Sequence, residues 1–526
     1  MSPENRHPFL RVIGALLLLA TASACGGGGS SSSGSTASAA WKAGTFAPSS
    51  TFAAQCANPR SGTDPTTGKA YPDVKGSTTS ENNWLRSWTQ ELYLWYREAP
   101  DLDPAAYATA DYFNLLKTTA TTPSGNPKDK FHFTYTTPQW VALSQSGVAA
   151  GYGAEWALIS SRPPRQALVA YTDPNTPATT APANLRRGAS VLTVDGVDLV
   201  NANDSASVAI LNAGLFPPAP GTSHTFSILD PGSSTPRTVT MVSANVTSTP
   251  VQSVQTIRAR AGTVGYMLFN DHIATSESQL VAAFSQLAAA GVTDLVLDIR
   301  YNGGGYLDIA SEVAYMIAGP GPTTGKGFEK TVFNDKYPSN DPVTGQALTA
   351  MPFHNTSQGF SGPKNQALPT LNLSRVSVLT GGGTCSASES IINGLRGVGV
   401  QVIQVGATTC GKPYGFYPQD NCGITYFSIE FQGVNAQGFG DYPDGFSPAN
   451  TVSKPGVTVT GCSVADDFSR NLGDPAEGRL AAALGYLADQ SCPAPPAFAE
   501  GSVASTSAID ELAPKSPWRQ NRILRR

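Results

Sequence analysis

Short, nearly unbroken apolar runs alternate with glycine-rich loops and helically spaced segments through the second half of this chain. Asp294–Ile299, Val376–Thr380 and Val398–Val405 have the composition of strands buried on both faces. The first leads through Tyr301-Asn302-Gly303-Gly304-Gly305-Tyr306 into a helical pattern over Leu307–Ile317. The second leads through Gly381-Gly382-Gly383 into a helix predicted over Ser388–Arg396. Repetition of strand, glycine loop and helix predicts an α/β domain. Further upstream, Asn83–Tyr96 spaces its tryptophans, leucines and tyrosines at helical intervals. With Ala105–Lys117 it predicts a small helical domain whose aromatic stripe is packed core and not a ligand box. Residues 41–77 show little periodic apolar signal and read as irregular.

The chemistry concentrates in the glycine loops. Gly381-Gly382-Gly383-Thr384-Cys385-Ser386-Ala387-Ser388-Glu389 presents a serine at a helix entrance, and Lys412 follows 26 positions after it, beyond the next apolar strand. A serine hydroxyl is a weak nucleophile at neutral pH and needs a base beside it. A lysine buried in an apolar pocket can remain neutral and be that base. Ser386 and Lys412 therefore form a candidate Ser–Lys dyad. Glu389 stands three residues after Ser386, the spacing of a capping box. The loop after Asp298 also has the layout of a phosphate cradle, but neither G-x-x-x-x-G-K-[ST] nor G-x-G-x-x-G with a distant acid is present. An oxyanion hole uses the same backbone geometry and is the favoured reading.

These residues resemble the carboxyl-terminal processing, or tail-specific, serine proteases. The family's aspartate-x-arginine-x-asparagine-x-glycine-glycine loop is matched by Asp298-Ile299-Arg300-Tyr301-Asn302-Gly303-Gly304-Gly305, its Ser-Ala-Ser-Glu by Ser386–Glu389, and its Thr-x-Gly-Lys by Thr409–Lys412. The resemblance implies that Ser386 is the nucleophile, Lys412 the general base and Glu389 the residue positioning the lysine. The oxyanion donors are then the N–H groups of Ala387 and of one loop glycine, Gly304. Residues 146–250 are similar to a PDZ domain, with Gly151-Tyr152-Gly153 as its peptide-carboxylate loop and Leu185–Gly196 as two strands about a glycine turn. Such a domain takes a peptide as an added strand; a β-module that only packs on the protease is the alternative. Pro217-Pro218-Ala219-Pro220-Gly221 interrupts the pattern and alters the groove. Asp129–Tyr135 resembles the family's aspartate-histidine-threonine segment, which makes His132 a structural hydrogen-bonding residue. Two departures stand out: the Ser-to-Lys spacing is about one residue longer than usual in the family, and Cys385 and Cys410 occupy both dyad loops, where a disulfide can tether them.

The implied architecture is α/β and multidomain. It comprises a signal peptide with a lipobox-like end (1–25), a tether and irregular segment (26–77), a helical domain (78–145), a PDZ-like β-rich domain (146–250), an α/β serine protease core of the tail-specific type (251–495) and a tail (496–526). Arg6 and Arg11, the apolar run Val12–Ala20 and the small residues before Cys25 form a signal peptide. Ala22-Ser23-Ala24-Cys25 resembles a lipobox, with alanine where leucine is usual, and a Gly/Ser tether follows. Lipidation of Cys25 would anchor the chain to a membrane of the bacterial cell envelope; cleavage without lipidation would release it. Cys25 apart, six cysteines remain, an even number that fits disulfides in an exported protein. Cys410–Cys422 and Cys462–Cys492 are the expected local pairs, leaving Cys56–Cys385.

Charge and spacing exclude other classes. A net charge of −4 with 14% charged residues lacks the basic face that nucleic acid requires. The basic stretch Trp518–Arg526 reads as a solvated tail, with contact to an anionic membrane or to the protein's own acidic surface as the alternatives. No C-x-x-C or H-x-x-x-H spacing supports a metal, and the dyad needs no cofactor. Ser361-x-x-Lys364 has a β-lactamase spacing, but Gly362 and Pro363 prevent the helix that would align it. His272 could serve a Ser-His pair, although Lys412 already has a matching context. An esterase would carry G-x-S-x-G, which Ser386 lacks. The expected activity is cleavage of exported polypeptides near accessible C-termini; the alternative is an inactive or latent peptide-binding scaffold of the same fold.

Overall fold

Six strands form the central sheet, in the order Val251–Ala259, Gly262–Phe269, Asp294–Asp298, Arg375–Thr380, Gln401–Gly406 and Gly461–Ser463. The first two make an antiparallel hairpin, and every later neighbour is parallel. Successive residues of a strand face opposite sides. Leu295, Leu297, Val376 and Val378 pack with the helices Ser276–Ala289, Leu307–Ala318 and Ala387–Gly397. Val296, Leu379, Ile403 and Val405 pack with the helix Gly478–Asp489 on the other side. Cover on both faces is the reason these strands appear in sequence as continuous apolar runs. The strand read as Val398–Val405 starts later than predicted, at Gln401, because Val398 caps the preceding helix and the chain turns at Gly399, φ +81°.

This computed structural model describes residues 41–496, apart from 66, 161 and 454, together with 522–523. The chain divides into two units, 1–42 and 43–526, and all the described elements belong to the second. The expected signal peptide and Cys25 lie outside the described residues.

A second, antiparallel sheet occupies the stretch read as PDZ-like. Its order is Arg237–Val242, Ser223–Leu229, Ser190–Val194, Gln166–Thr172 and Ala154–Ser160, with Val197–Asp198 paired to the third. The helix Ser205–Leu215 starts where the Asp204 side chain accepts the Ser207 N–H, and Leu211 joins Trp156, Phe226 and Ile228 in the module's core.

The N-terminal helix Thr78–Leu92 is capped by Ser77, which accepts the Ser80 N–H. Its tryptophans are core, as the spacing predicts: Trp84 and Trp88 stack 5.2 Å apart and bury against Phe113 and Tyr426. Tyr426 belongs to a distant part of the chain, so this segment shares its core with residues 419–427. Phe133–Thr136 pairs antiparallel with Ile424–Phe427, and Cys56–Cys422 adds a covalent link. A set of helices this small cannot bury its own aromatic face alone.

The disulfides correct the expected pairing. Cys462–Cys492 forms, but the other two bonds are Cys385–Cys410 and Cys56–Cys422, replacing Cys410–Cys422 and Cys56–Cys385. Cys422 sits beside the strand that pairs with the N-terminal segment, close to Cys56. Cys385 and Cys410 lie in loops that leave adjacent parallel strands, so the tether between those loops is present.

Candidate active site

Three loops leave the carboxyl ends of three neighbouring parallel strands. Asp298 lies opposite Leu379, and Thr380 opposite Gly406, so the segments 299–305, 381–386 and 407–412 emerge side by side. The crevice outside such strand ends is where α/β sheets build sites. All three sequence motifs converge there.

Ser386 is the last residue before the helix Ala387–Gly397 and has φ 59° and ψ −114°, a conformation that side-chain-bearing residues avoid. Holding it costs about 1–3 kcal/mol. The surroundings supply the restraint: the Thr384 hydroxyl donates to the Ile299 carbonyl at 2.8 Å, and the Cys385 N–H and Ser388 hydroxyl both donate to the Asn302 carbonyl, at 3.1 and 3.0 Å. Gly381 has no room for a side chain, since a Cβ there would lie 2.8 Å from the Arg300 carbonyl oxygen. The result is a strained strand-turn-helix elbow without the G-x-S-x-G sequence.

Glu389 joins the serine loop to the lysine loop. Its carboxylate accepts the N–H groups of Ser386, Gly411 and Lys412 at 2.9, 2.9 and 2.8 Å and the Thr409 hydroxyl at 2.5 Å. Burial pushes this carboxyl above the usual range, and the four donors pull it back toward ionisation. The Ser386 contact is the expected cap, and the two lysine-loop contacts make Glu389 a fastener of the Lys412 backbone as well. Cys385–Cys410 ties the same two loops covalently.

Lys412 is completely buried, and its Nζ lies 4.7 Å from the ring centroids of both Phe131 and Phe416. Sequence reading missed these walls. Phe131 is supplied by the N-terminal segment, where Asp129 accepts its N–H at 2.9 Å and also receives the Tyr93 hydroxyl at 2.6 Å and His132 Nδ1 at 2.9 Å. Burial opposes ionisation of Asp129, but His132 and these hydrogen bonds hold its pKa at about 2. His132 Nε2 reaches the Ser428 hydroxyl at 3.3 Å, so the histidine is structural, as read. Lys130 Nζ donates to the Cys410 carbonyl at 3.3 Å.

The glycine loop differs from expectation at Gly304. Its N–H donates to Asn302 Oδ1 at 2.9 Å and must exchange that partner before it can serve an oxyanion. Asn302 is held by His272 Nδ1 at 3.0 Å and by the Phe269 carbonyl, which accepts its Nδ2 at 2.9 Å. Ala387 is the first helical residue, whose N–H has no acceptor within its own helix. Burial drives the pKa of His272 down to about 3, leaving a neutral imidazole that supports the loop and is unsuited to act as a base near neutral pH. Beneath the loop, buried Arg300 makes bidentate contacts with Asp298 at 3.0 and 2.9 Å and with Glu477 at 2.8 and 2.9 Å, and a further contact with Asp466 at 2.7 Å. Asp466 also binds Arg187 of the β-rich module at 2.6 Å.

Gly151, Tyr152 and Gly153 line a cavity of about 610 Å³ between the sheet-edge strand Ala154–Ser160 and Leu215–Pro220, the proline-rich stretch expected to alter the groove. The Tyr152 side chain is core, its hydroxyl donating to the Gly214 carbonyl at 3.0 Å, so only its backbone can face a peptide. Gly153 (φ +76°) is the glycine this turn requires, for a Cβ there would lie 2.4 Å from Thr176 Oγ1.

A buried carboxyl pair holds the loop 358–361. Glu277 accepts the N–H groups of Gly359 and Ser361, Glu312 accepts that of Gln358, and Phe360 of this loop packs on Tyr306 at 4.8 Å. The same contacts absorb Ser361, leaving the S-x-x-K match without a helix. Burial, with the Glu277 charge adding to it, raises the Glu312 pKa from 4.5 to about 9. Between those values the folded chain keeps a proton that the unfolded chain releases. This contribution to stability is therefore full below about pH 4.5 and lost as pH rises through about 9. Glu312→Gln is expected to flatten that decline, seen as a smaller fall in melting temperature from pH 5 to pH 9. Parallel melting curves would contradict it.

Among the described residues, the two groupings of His, Cys, Asp or Glu close enough for a metal each contain both sulfurs of a disulfide, Cys56–Cys422 with Glu81 and Cys385–Cys410 with Glu389. No helix of the described residues is long and apolar enough to cross a membrane.

Residues 263–415, which contain all three motif loops, match the model of peptidase family S41. A carboxyl-terminal-processing protease of Picosynechococcus sp. is 26% identical over 175 residues, covering 33% of this chain and 40% of that protein. The chain thus spans about two fifths of the length of that curated relative. A solved structure described as an S41 protease from Bacteroides fragilis shares the fold at TM-score 0.56 and 23% identity, over 80% of this chain and 98% of that one. A photosystem II D1 C-terminal processing protease aligns at TM-score 0.42 and 20% identity, over 77% of this chain and 100% of that one.

Proposed function

We propose that this chain is a serine endopeptidase acting through Ser386 and Lys412, a reading supported by the match of residues 263–415 to the model of peptidase family S41. The observation that carries this reading is the convergence of a strained serine turn and a buried lysine loop on one carboxylate, Glu389. Ser386 Oγ attacks a peptide carbonyl while Lys412 takes its proton, and the tetrahedral oxyanion is met by the Ala387 N–H and the Gly304 N–H released from Asn302. Lys412 returns the proton to the leaving amine. The same lysine then deprotonates the water that hydrolyses the acyl-enzyme and returns that proton to Ser386.

The cavity beside Gly151–Gly153 and the position of Ala154–Ser160 as the terminal strand of its sheet support capture of a substrate's C-terminal tail as an added strand. Arg187 joins that module to Tyr301, one residue before Asn302, through a 2.6 Å hydrogen bond. Three disulfides suit an oxidising compartment, consistent with export to the cell envelope, and the lipobox-like Ala22–Cys25 supports an anchor at Cys25. The engaged Gly304 N–H favours a second reading, a latent enzyme that becomes competent on substrate binding.

The test is cleavage of an unfolded reporter by the mature chain beside Ser386→Ala. Loss of activity in the variant with retained peptide binding is the expected result. Cleavage that survives the substitution removes Ser386 as nucleophile, and no cleavage by the wild type, with or without a C-terminal peptide, favours a scaffold.

A further inference from the structure

Arg522–Ile523 lies within the stretch read as a solvated tail, yet the two residues form a strand parallel to Gly305–Tyr306, with Gly305 opposite Arg522 and Tyr306 opposite Ile523. Gly305 directly follows Gly304 of the glycine loop. The same strand runs beside Tyr414–Gly415, which follows Lys412 and Pro413. It therefore lies between the strand that leaves the glycine loop and the strand that leaves the lysine loop. The opposite edge of Gly305–Tyr306 is already filled: His272 bridges Gly305, and its carbonyl accepts the Tyr306 N–H at 2.9 Å. A Cβ on Gly305 (φ +138°) would lie 2.4 Å from that carbonyl oxygen. One edge is left for an extended chain, and Arg522–Ile523 is the strand paired there.

We propose that the cleft between Gly305–Tyr306 and Tyr414–Gly415 is a strand-accepting surface for extended polypeptide, and that the segment carrying Arg522–Ile523 is its resident occupant, in competition with substrate. Main-chain pairing tolerates many sequences, so one edge can take both an internal segment and a foreign chain. Tethering places the segment at an effective concentration on the order of millimolar, enough for a weak pairing to hold the cleft against dilute substrate. The competition rests on the peptidase reading above, whereas the occupancy does not.

Two measurements separate them. Ile523→Pro in the full chain removes an N–H and disrupts the added strand; deletion of residues 497–526 removes it outright. Each is expected to lower KM for an unfolded reporter by about fivefold or more with kcat little changed, because a tethered competitor is lost. Separately, a fluorescent peptide of residues 515–526 should bind saturably to the full-length Ser386→Ala, Ile523→Pro chain and not to Ser386→Ala alone, read by anisotropy. Equal binding to both chains, or no binding to either, overturns the proposal, as does an unchanged KM. If neither the wild-type chain nor Ile523→Pro with Ser386 intact cleaves any reporter while the binding difference is present, the occupancy stands and the peptidase reading falls.

Discussion

Lys412→Met is expected to leave the fold intact and to lower kcat by about 10⁴-fold or more, a loss of about 5.5 kcal/mol of transition-state stabilisation. Methionine is the informative replacement because Lys412 is fully buried between Phe131 and Phe416. An unbranched thioether fills that space, whereas alanine would add a cavity and confuse lost chemistry with lost packing. The Lys412 N–H that Glu389 accepts belongs to the backbone and survives the change. In the proposed mechanism, loss of the amine leaves Ser386 without a base and the leaving amine without an acid, so acylation is expected to fail whatever the binding. The measurement is single-turnover cleavage of the reporter with a melting curve on the same sample. Activity within about tenfold of wild type at unchanged stability would show that another group serves as base.

Arg300→Met carries the largest expected effect on stability. Arg300 is buried beneath the glycine loop and neutralises Asp298 and Glu477 through two bidentate contacts, with Asp466 as a third partner. Removing one member of such a cluster leaves carboxylates buried without compensation, at a cost of about 3–5 kcal/mol. The melting temperature should fall by roughly 5–15 °C. Arg300→Lys keeps the charge but loses the planar fork and should fall between. Activity should fall with stability, since the Arg300 carbonyl packs on Gly381 at the base of the serine turn, and Tyr301 and Asn302 follow it. A variant as stable as the wild type would mean that the cluster reorganises around the gap. Asp466 also binds Arg187, so the same cluster is one physical link between the β-rich module and the glycine loop, beside the Arg187–Tyr301 hydrogen bond.

Much of the site was legible because its elements are local. The apolar runs at Asp294–Ile299 and Val376–Thr380 encode strands covered on both faces, Gly381–Gly383 encode a tight turn, and Ser386 with Glu389 encode a helix start. The lipid anchor and signal peptide were equally local readings, but they fall outside the described residues. Gly304 was a weaker inference: a glycine loop announces donors, and its spacing does not say which N–H already has an acceptor.

Sequence by itself therefore determined the α/β order, the three loops and the positions of the candidate Ser386, Glu389 and Lys412 within them, since backbone preference and apolar periodicity act over a few positions. Tertiary structure alone decided which cysteines meet, why Phe131 walls a lysine 281 positions away, how Glu477 reaches Arg300 across 177 positions, and where Arg522–Ile523 comes to rest. Those contacts arise from chain closure and packing over long separations, where one carboxylate or phenyl ring looks like any other until the fold gives it a neighbour.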